Sequence, residues 1–235
     1  LPALVRSEYI SFYEELEISF SLHQPNSCWH CCGMAKIAGE HWVSAKRKKD
    51  ALSFPLTVEA KIDLFEERIQ GWQISIADQC YRGVLDNTGN RISSSIPHSG
   101  FGVLYMLLSY FEMIAKYEAG DLSEVSAIWF KEGIKSVYPE LTTRTERILV
   151  KFYKGARCGL YHAGLTSKYV FISGDVASIE FDSISGMLVI NPGDMIDRVA
   201  NHLKIYCQQL RDPAQTLLRS NFEKKFDADI LPQIQ

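Results

Sequence analysis

Late in the chain Arg157, Cys158, Gly159, Leu160, Tyr161, His162, Ala163 and Gly164 follow one another. The run sets a permanent guanidinium ahead of an imidazole, the side chain type that titrates closest to neutral pH. An arginine holds a phosphate through paired N–H donors, and a histidine takes or gives a proton. Together they suffice to cleave RNA without a metal ion. Gly159 and Gly164 supply flexible backbone around the pair. On a regular α-helix residues five apart lie about 140° from each other. The pair converges only if the helix loosens near Gly159, or if a second copy of the chain supplies partner residues. Two-fold symmetry would bring two such pairs into one cleft. Arg91 and His98 repeat the residue types, but in a polar stretch where nothing holds either side chain.

Basic residues lead up to the pair. Arg144, Arg147, Lys151, Lys154 and Arg157 recur at helical steps and occupy one broad side of a helix, with only Glu146 opposing their sign. Such a stripe attracts a polyanion, although an isolated one is more often a solvated face. A local patch is required here. The net charge is −3 and the pI about 6.1, so no basic footprint for nucleic acid covers the whole chain.

The elements that must position these residues are mostly helical. Apolar residues at helical steps predict helices over 3–22 and from Thr57 to about Leu85, and another helix is expected over 28–49 between them. Ser27 and Thr57 are candidate N-caps, and Lys46, Arg47, Lys48 and Lys49 suit a helix C-terminus. The polar stretch 86–100 reads as a loop. Helices follow over 102–119, from Ser123 to Val137, and from a capping box at Thr143 and Glu146 towards Arg157. Three short β-type runs between 169 and 190 predict a small antiparallel meander. Asn191 and Pro192 open another helix as N-cap and first residue, and an amphipathic segment runs from Pro213 to Phe226. The expected fold is mainly α, a helical bundle with that small β insertion. Its expected divisions are an N-terminal helical region 1–85, a helical domain 98–212 and a C-terminal helix or tail 213–235.

The Arg157–Gly164 run at a helix end resembles the Arg-x4–6-His signature of HEPN domains. The apolar helix around Tyr105–Glu112 is similar to the earlier helix of that bundle. The likeness covers about residues 98–212 and does not reach the region before residue 86. It implies a helical bundle that dimerises and acts as a metal-independent endoribonuclease, with Arg157 and His162 as the motif residues. By that likeness the partners are RNA, a second copy of the chain, and an antitoxin or other regulatory protein, in a defence, toxin or stress setting. The implied chemistry is transesterification, in which the ribose 2′-hydroxyl attacks the adjacent phosphorus. Tyr161 and Glu112 are candidates to orient the imidazole, and Arg144, Arg147, Lys151 and Lys154 to bind RNA. Many family members carry a polar residue, commonly asparagine, where this chain has Cys158. A thiol is a poor substitute donor, and several members serve as non-catalytic binding or dimerisation modules. Such a module is the alternative reading.

Other features point to less. Cys28, Cys31 and Cys32 share a helical face, but no second pair completes a four-ligand zinc site, and buried packing thiols are the simpler reading. No metal or cofactor is expected. Neither a phosphate-binding Gly-x-x-x-x-Gly-Lys-Ser loop nor a Gly-x-Ser-x-Gly elbow is present. The six cysteines are too scattered for a secreted disulfide framework, so a cytoplasmic protein is expected. No apolar run reaches the roughly 20 residues that span a bilayer.

Overall fold

A computed structural model describes residues 35–37, 40–86, 88–123, 125–141 and 146–235, all within one unit of the chain, Gly33–Gln235. The expectations for 3–22, for the cysteines at 28, 31 and 32, for the Thr143 cap and for Arg144 lie outside the described residues.

A strongly apolar helix sets the centre. α3 (Gly100–Ala119) buries Val103, Leu104, Leu107, Leu108, Tyr110, Phe111 and Ile114. So many buried positions exceed one surface stripe, and the helix is accordingly packed from several directions. Around it lie α1 (Val58–Ile69), α2 (Ser75–Arg82), α4 (Ser126–Val137), α6 (Pro192–Arg211) and α7 (Thr216–Asp229). A short helix, α8 (Leu231–Ile234), follows α7. The caps follow the residue chemistry. Thr57 Oγ1 accepts from the Ala60 amide, and Asn191 Oδ1 accepts from the amides of Gly193 and Asp194 ahead of Pro192.

The molecule is mainly helical, as expected. The helices before residue 86, between 98 and 212, and after 213 bury their apolar faces in one shared core. The polar stretch 86–100 is therefore not a break between cores. It holds a turn around Asp86, whose carboxylate accepts from the amides of Thr88 and Asn90, between short strands β3 (Val84–Leu85) and β4 (Arg91–Ser93). The long helix expected from Thr57 is interrupted by a π-helical segment, Gln70–Ile74, and ends at Arg82.

Two other expectations are corrected. Part of the 28–49 helix is a hairpin of β1 (Ala35–Ile37) and β2 (Glu40–Trp42). The basic run after it has no apolar stripe to dock. Instead, Ser44 Oγ accepts from the amides of Lys46 and Arg47, and the Arg47 guanidinium binds Glu67 and Asp63 on α1. The small sheet occurs where expected, as β5 (Val170–Ile172), β6 (Ile179–Phe181) and β7 (Leu188–Ile190), but its order is β5-β7-β6. β6 and β7 are antiparallel, whereas β5 runs parallel to β7. β7 takes the centre because Leu188 and Ile190 are both buried, while each neighbour exposes its middle residue, Phe171 or Glu180.

Candidate functional site

α5 (Glu146–Lys151) docks through Ile148 and Leu149 and continues directly into a π-helical segment, Phe152–Ala163. The chain that follows runs back along this segment, where the Ser167 amide donates to the Gly155 carbonyl at 2.8 Å. A Cβ at Gly159 would stand 2.6 Å from the Leu165 carbonyl oxygen, so only glycine admits this return path. Gly164, at φ +70°, ends the helix. A π-helix bonds each amide to the carbonyl five residues back and brings residues five apart to neighbouring positions. The loosening that the Arg157–His162 spacing requires is thus present, and it extends beyond Gly159 to the whole segment.

Arg157 faces α3. Its guanidinium donates to Glu112 Oε2 at 3.2 Å and lies over the rings of Tyr161 and Tyr153, 5.0 and 5.8 Å from their centroids. The side chain keeps 22% of its surface exposed, enough to meet a ligand. Glu112 also accepts from Lys116 Nζ at 2.9 Å and from Ser126 Oγ. Partial burial pushes its carboxyl pKa up. The bonds from Ser126 and Lys116, with the charges of Lys116 and Arg157, outweigh that effect and leave it below the usual range. Glu112 therefore stays ionised and anchors the guanidinium.

His162 is exposed, and among the described residues no side-chain hydrogen bond holds it. Among the described residues neither Tyr161 nor Glu112, expected to orient the imidazole, makes a hydrogen bond to it. The Tyr161 hydroxyl donates to the Tyr105 carbonyl at 2.9 Å, and its ring stacks on Tyr105 with centroids 4.6 Å apart. Burial pushes the Tyr161 phenol above its ordinary pKa, so it remains a donor. Both residues instead hold Arg157, Glu112 through a charge-assisted hydrogen bond and Tyr161 through a cation–π contact.

The basic stripe divides. Arg147, Lys151 and Lys154 line an open groove of about 480 Å³ together with Glu146, Val150, Gly155 and Ser167. Arg157 leaves that side because the π register changes the angular step after Lys151. Arg147 and Lys154 are exposed. Lys151 is largely committed. It donates to the Gly186 carbonyl and lies 4.7 and 5.6 Å from the ring centroids of Tyr169 and Phe181. Lys131 binds Glu146, which weakens the groove's one acidic charge.

A second histidine, absent from the sequence expectations, is far better connected. His202 on α6 meets Tyr110 Oη through Nδ1 and Ser136 Oγ through Nε2, each at 2.9 Å. Ser136 Oγ donates to Glu118 Oε1 at 2.9 Å. A consistent assignment runs Tyr110 to Nδ1, Nε2–H to Ser136, and Ser136 to the carboxylate, with the imidazole neutral. Burial pushes the His202 pKa down to about 4. Its only sequence signal is a polar residue beside the apolar stripe of Ile196, Val199, Leu203 and Tyr206.

No protein-family model matches the chain, and no curated protein or solved structure matches it. Among the described residues no helix is long and apolar enough to cross a membrane.

Proposed function

We propose that this chain is a HEPN-like, metal-independent endoribonuclease that acts as a homodimer, with Arg157 and His162 as its catalytic residues. The observation that carries the reading is the π-helical register of Phe152–Ala163. It turns a spacing that an α-helix would splay into one that an anchored guanidinium and an open imidazole can share. His162 removes the proton of a ribose 2′-hydroxyl, and the oxygen attacks the adjacent phosphorus. The bond from phosphorus to the 5′-oxygen breaks, and that oxygen takes a proton from the second imidazole of the dimer. The products are a 2′,3′-cyclic phosphate and a 5′-hydroxyl. Arg157 stabilises the charge that grows on the phosphoryl oxygens. The groove of Arg147, Lys151 and Lys154 receives flanking phosphates, with Arg144 assigned the same role from the sequence.

A cytoplasmic setting belongs to the same proposal. Cys80, Cys158 and Cys207 are free thiols, which suits a reducing compartment. Defence or toxin action, with an antitoxin or regulatory partner, is the setting suggested by the family likeness alone.

The second reading, a non-catalytic dimerisation or binding module, is favoured by one contact. Arg157 already has a carboxylate partner in Glu112. Incubation of labelled RNA with the chain in EDTA separates the two, beside Arg157→Ala and His162→Ala. Cleavage by the parent, lost in both variants, supports the enzyme. Intact RNA with a preserved dimer supports the module.

A further inference from the structure

α3 buries Leu104, Leu107, Leu108 and Phe111, but Tyr105 lies off that stripe and keeps 49% of its surface exposed. Tyr161 covers one face of its ring, with 14° between the planes, so the exposure belongs to the other face and the edge. The stack is fixed. The Tyr161 hydroxyl is bonded to the carbonyl of Tyr105 itself, and the Arg157 guanidinium lies over the Tyr161 ring while Glu112 holds it. Tyr105 thus presents a flat, immobilised π face at the end of a stack that includes the guanidinium, and His162 directly follows Tyr161 in the chain.

Single-stranded nucleic acid offers the matching pattern, flat bases along a line of phosphates. Aromatic rings hold such bases regardless of sequence, and cations hold the phosphates. We propose that the outer face of Tyr105 is a base-stacking subsite that seats an unpaired nucleobase of the strand whose phosphate Arg157 binds. The inference rests on the ribonuclease reading of Arg157 and His162 and narrows its substrate to unpaired RNA, since a base inside a duplex has both faces covered. The charge of Arg157 within the stack favours a polyanion over an apolar protein surface as the occupant. A rigid ring also loses little conformational entropy when a base lands on it.

The test uses the full chain carrying His162→Ala, so that RNA is held and not cut. Its affinity is measured for a labelled single-stranded oligoribonucleotide and for a strand of the same length with abasic sites, with sedimentation followed in parallel. The base-bearing strand is expected to bind about tenfold more tightly. That preference disappears with Tyr105→Ala added, survives with Tyr105→Phe, and leaves sedimentation unchanged. Equal affinity for the two strands, no binding of either, or a preference retained by Tyr105→Ala overturns the subsite. A change in sedimentation on Tyr105→Ala also overturns it, by assigning the ring to a seam between two copies of the chain. Cleavage in EDTA by the parent chain is scored separately. Base preference without cleavage leaves the subsite and removes the nuclease.

Discussion

His202 has a tyrosine, a serine and a carboxylate arranged around its two nitrogens, while His162 has no side-chain hydrogen bond among the described residues. On partner chemistry alone His202 is the better match to a catalytic histidine. Its surroundings say otherwise. The side chain is only 15% exposed, is shared among α3, α4 and α6, and is kept neutral by burial. A largely buried network with every proton placed ties helices together. His162 is exposed in the same π-helical segment as the anchored Arg157, with its own valences unspent among the described residues. A complete set of hydrogen bonds marks the structural histidine, and an incomplete one marks the candidate for chemistry.

Substitution separates the two most sharply. His162→Ala is expected to lower RNA cleavage by about 100-fold or more with an unchanged melting temperature, since the side chain is exposed. His202→Ala is expected to cost about 3 kcal/mol of stability, because Tyr110 and Ser136 lose a buried partner. Chemical denaturation measures that loss, and cleavage by the folded fraction stays normal. A His202→Ala protein of parental stability would remove the structural role.

Acid sharpens the contrast. The folded pKa of His202, about 4, lies below its ordinary 6.5, so protons bind the unfolded chain more readily. Its contribution is present above about pH 6.5 and is lost as pH falls towards 4. The total is up to about 3 kcal/mol. Burial raises the neighbouring Glu118 carboxyl, so that group takes up a proton within the folded state and offsets part of the loss. Denaturation at stepped pH is expected to show this slope in the parent and a flatter one in His202→Gln.

A smaller effect is expected at Glu112→Gln. The substitution keeps an acceptor for Ser126 but removes the charge facing Arg157 and Lys116. Stability falls by about 1 kcal/mol and cleavage by about tenfold, mainly through KM as the guanidinium loses its fixed position. The least effect is expected from Lys154→Ala, which weakens RNA binding a few-fold and reduces the salt slope of log K by about 0.7. An unchanged slope would take the groove out of the RNA path.

Much of the frame is legible from residue patterns. The stripe of α3, the Thr57 cap and the Asn191–Pro192 start of α6 are local signals, and all are present in the structure. What the patterns miss depends on distant neighbours. The π register of Phe152–Ala163 is supported by the return chain against Gly155 and Gly159, contacts that helical periodicity does not encode. β7 takes the centre by pairing with β5 on one edge and β6 on the other, and the β1–β2 hairpin stands where part of a helix is expected. The His202 network joins residues separated by 66 and 92 positions. Arg157 and His162 were visible as a motif, but the contacts of Tyr161 and Glu112 were not. Both serve the guanidinium. Tyr105 was hidden within an apolar run, although its position four residues after Phe101 and off the buried stripe was the available signal.

The most direct measurement follows single-turnover cleavage, in EDTA, of an RNA strand and of the same strand carrying one 2′-deoxy residue at the cut site. The transesterification proposed for Arg157 and His162 predicts a 2′,3′-cyclic phosphate from the first strand, none from the second at that bond, and none from His162→Ala on either. Cutting of the deoxy strand at that bond, or undiminished cyclic phosphate from His162→Ala, would contradict it.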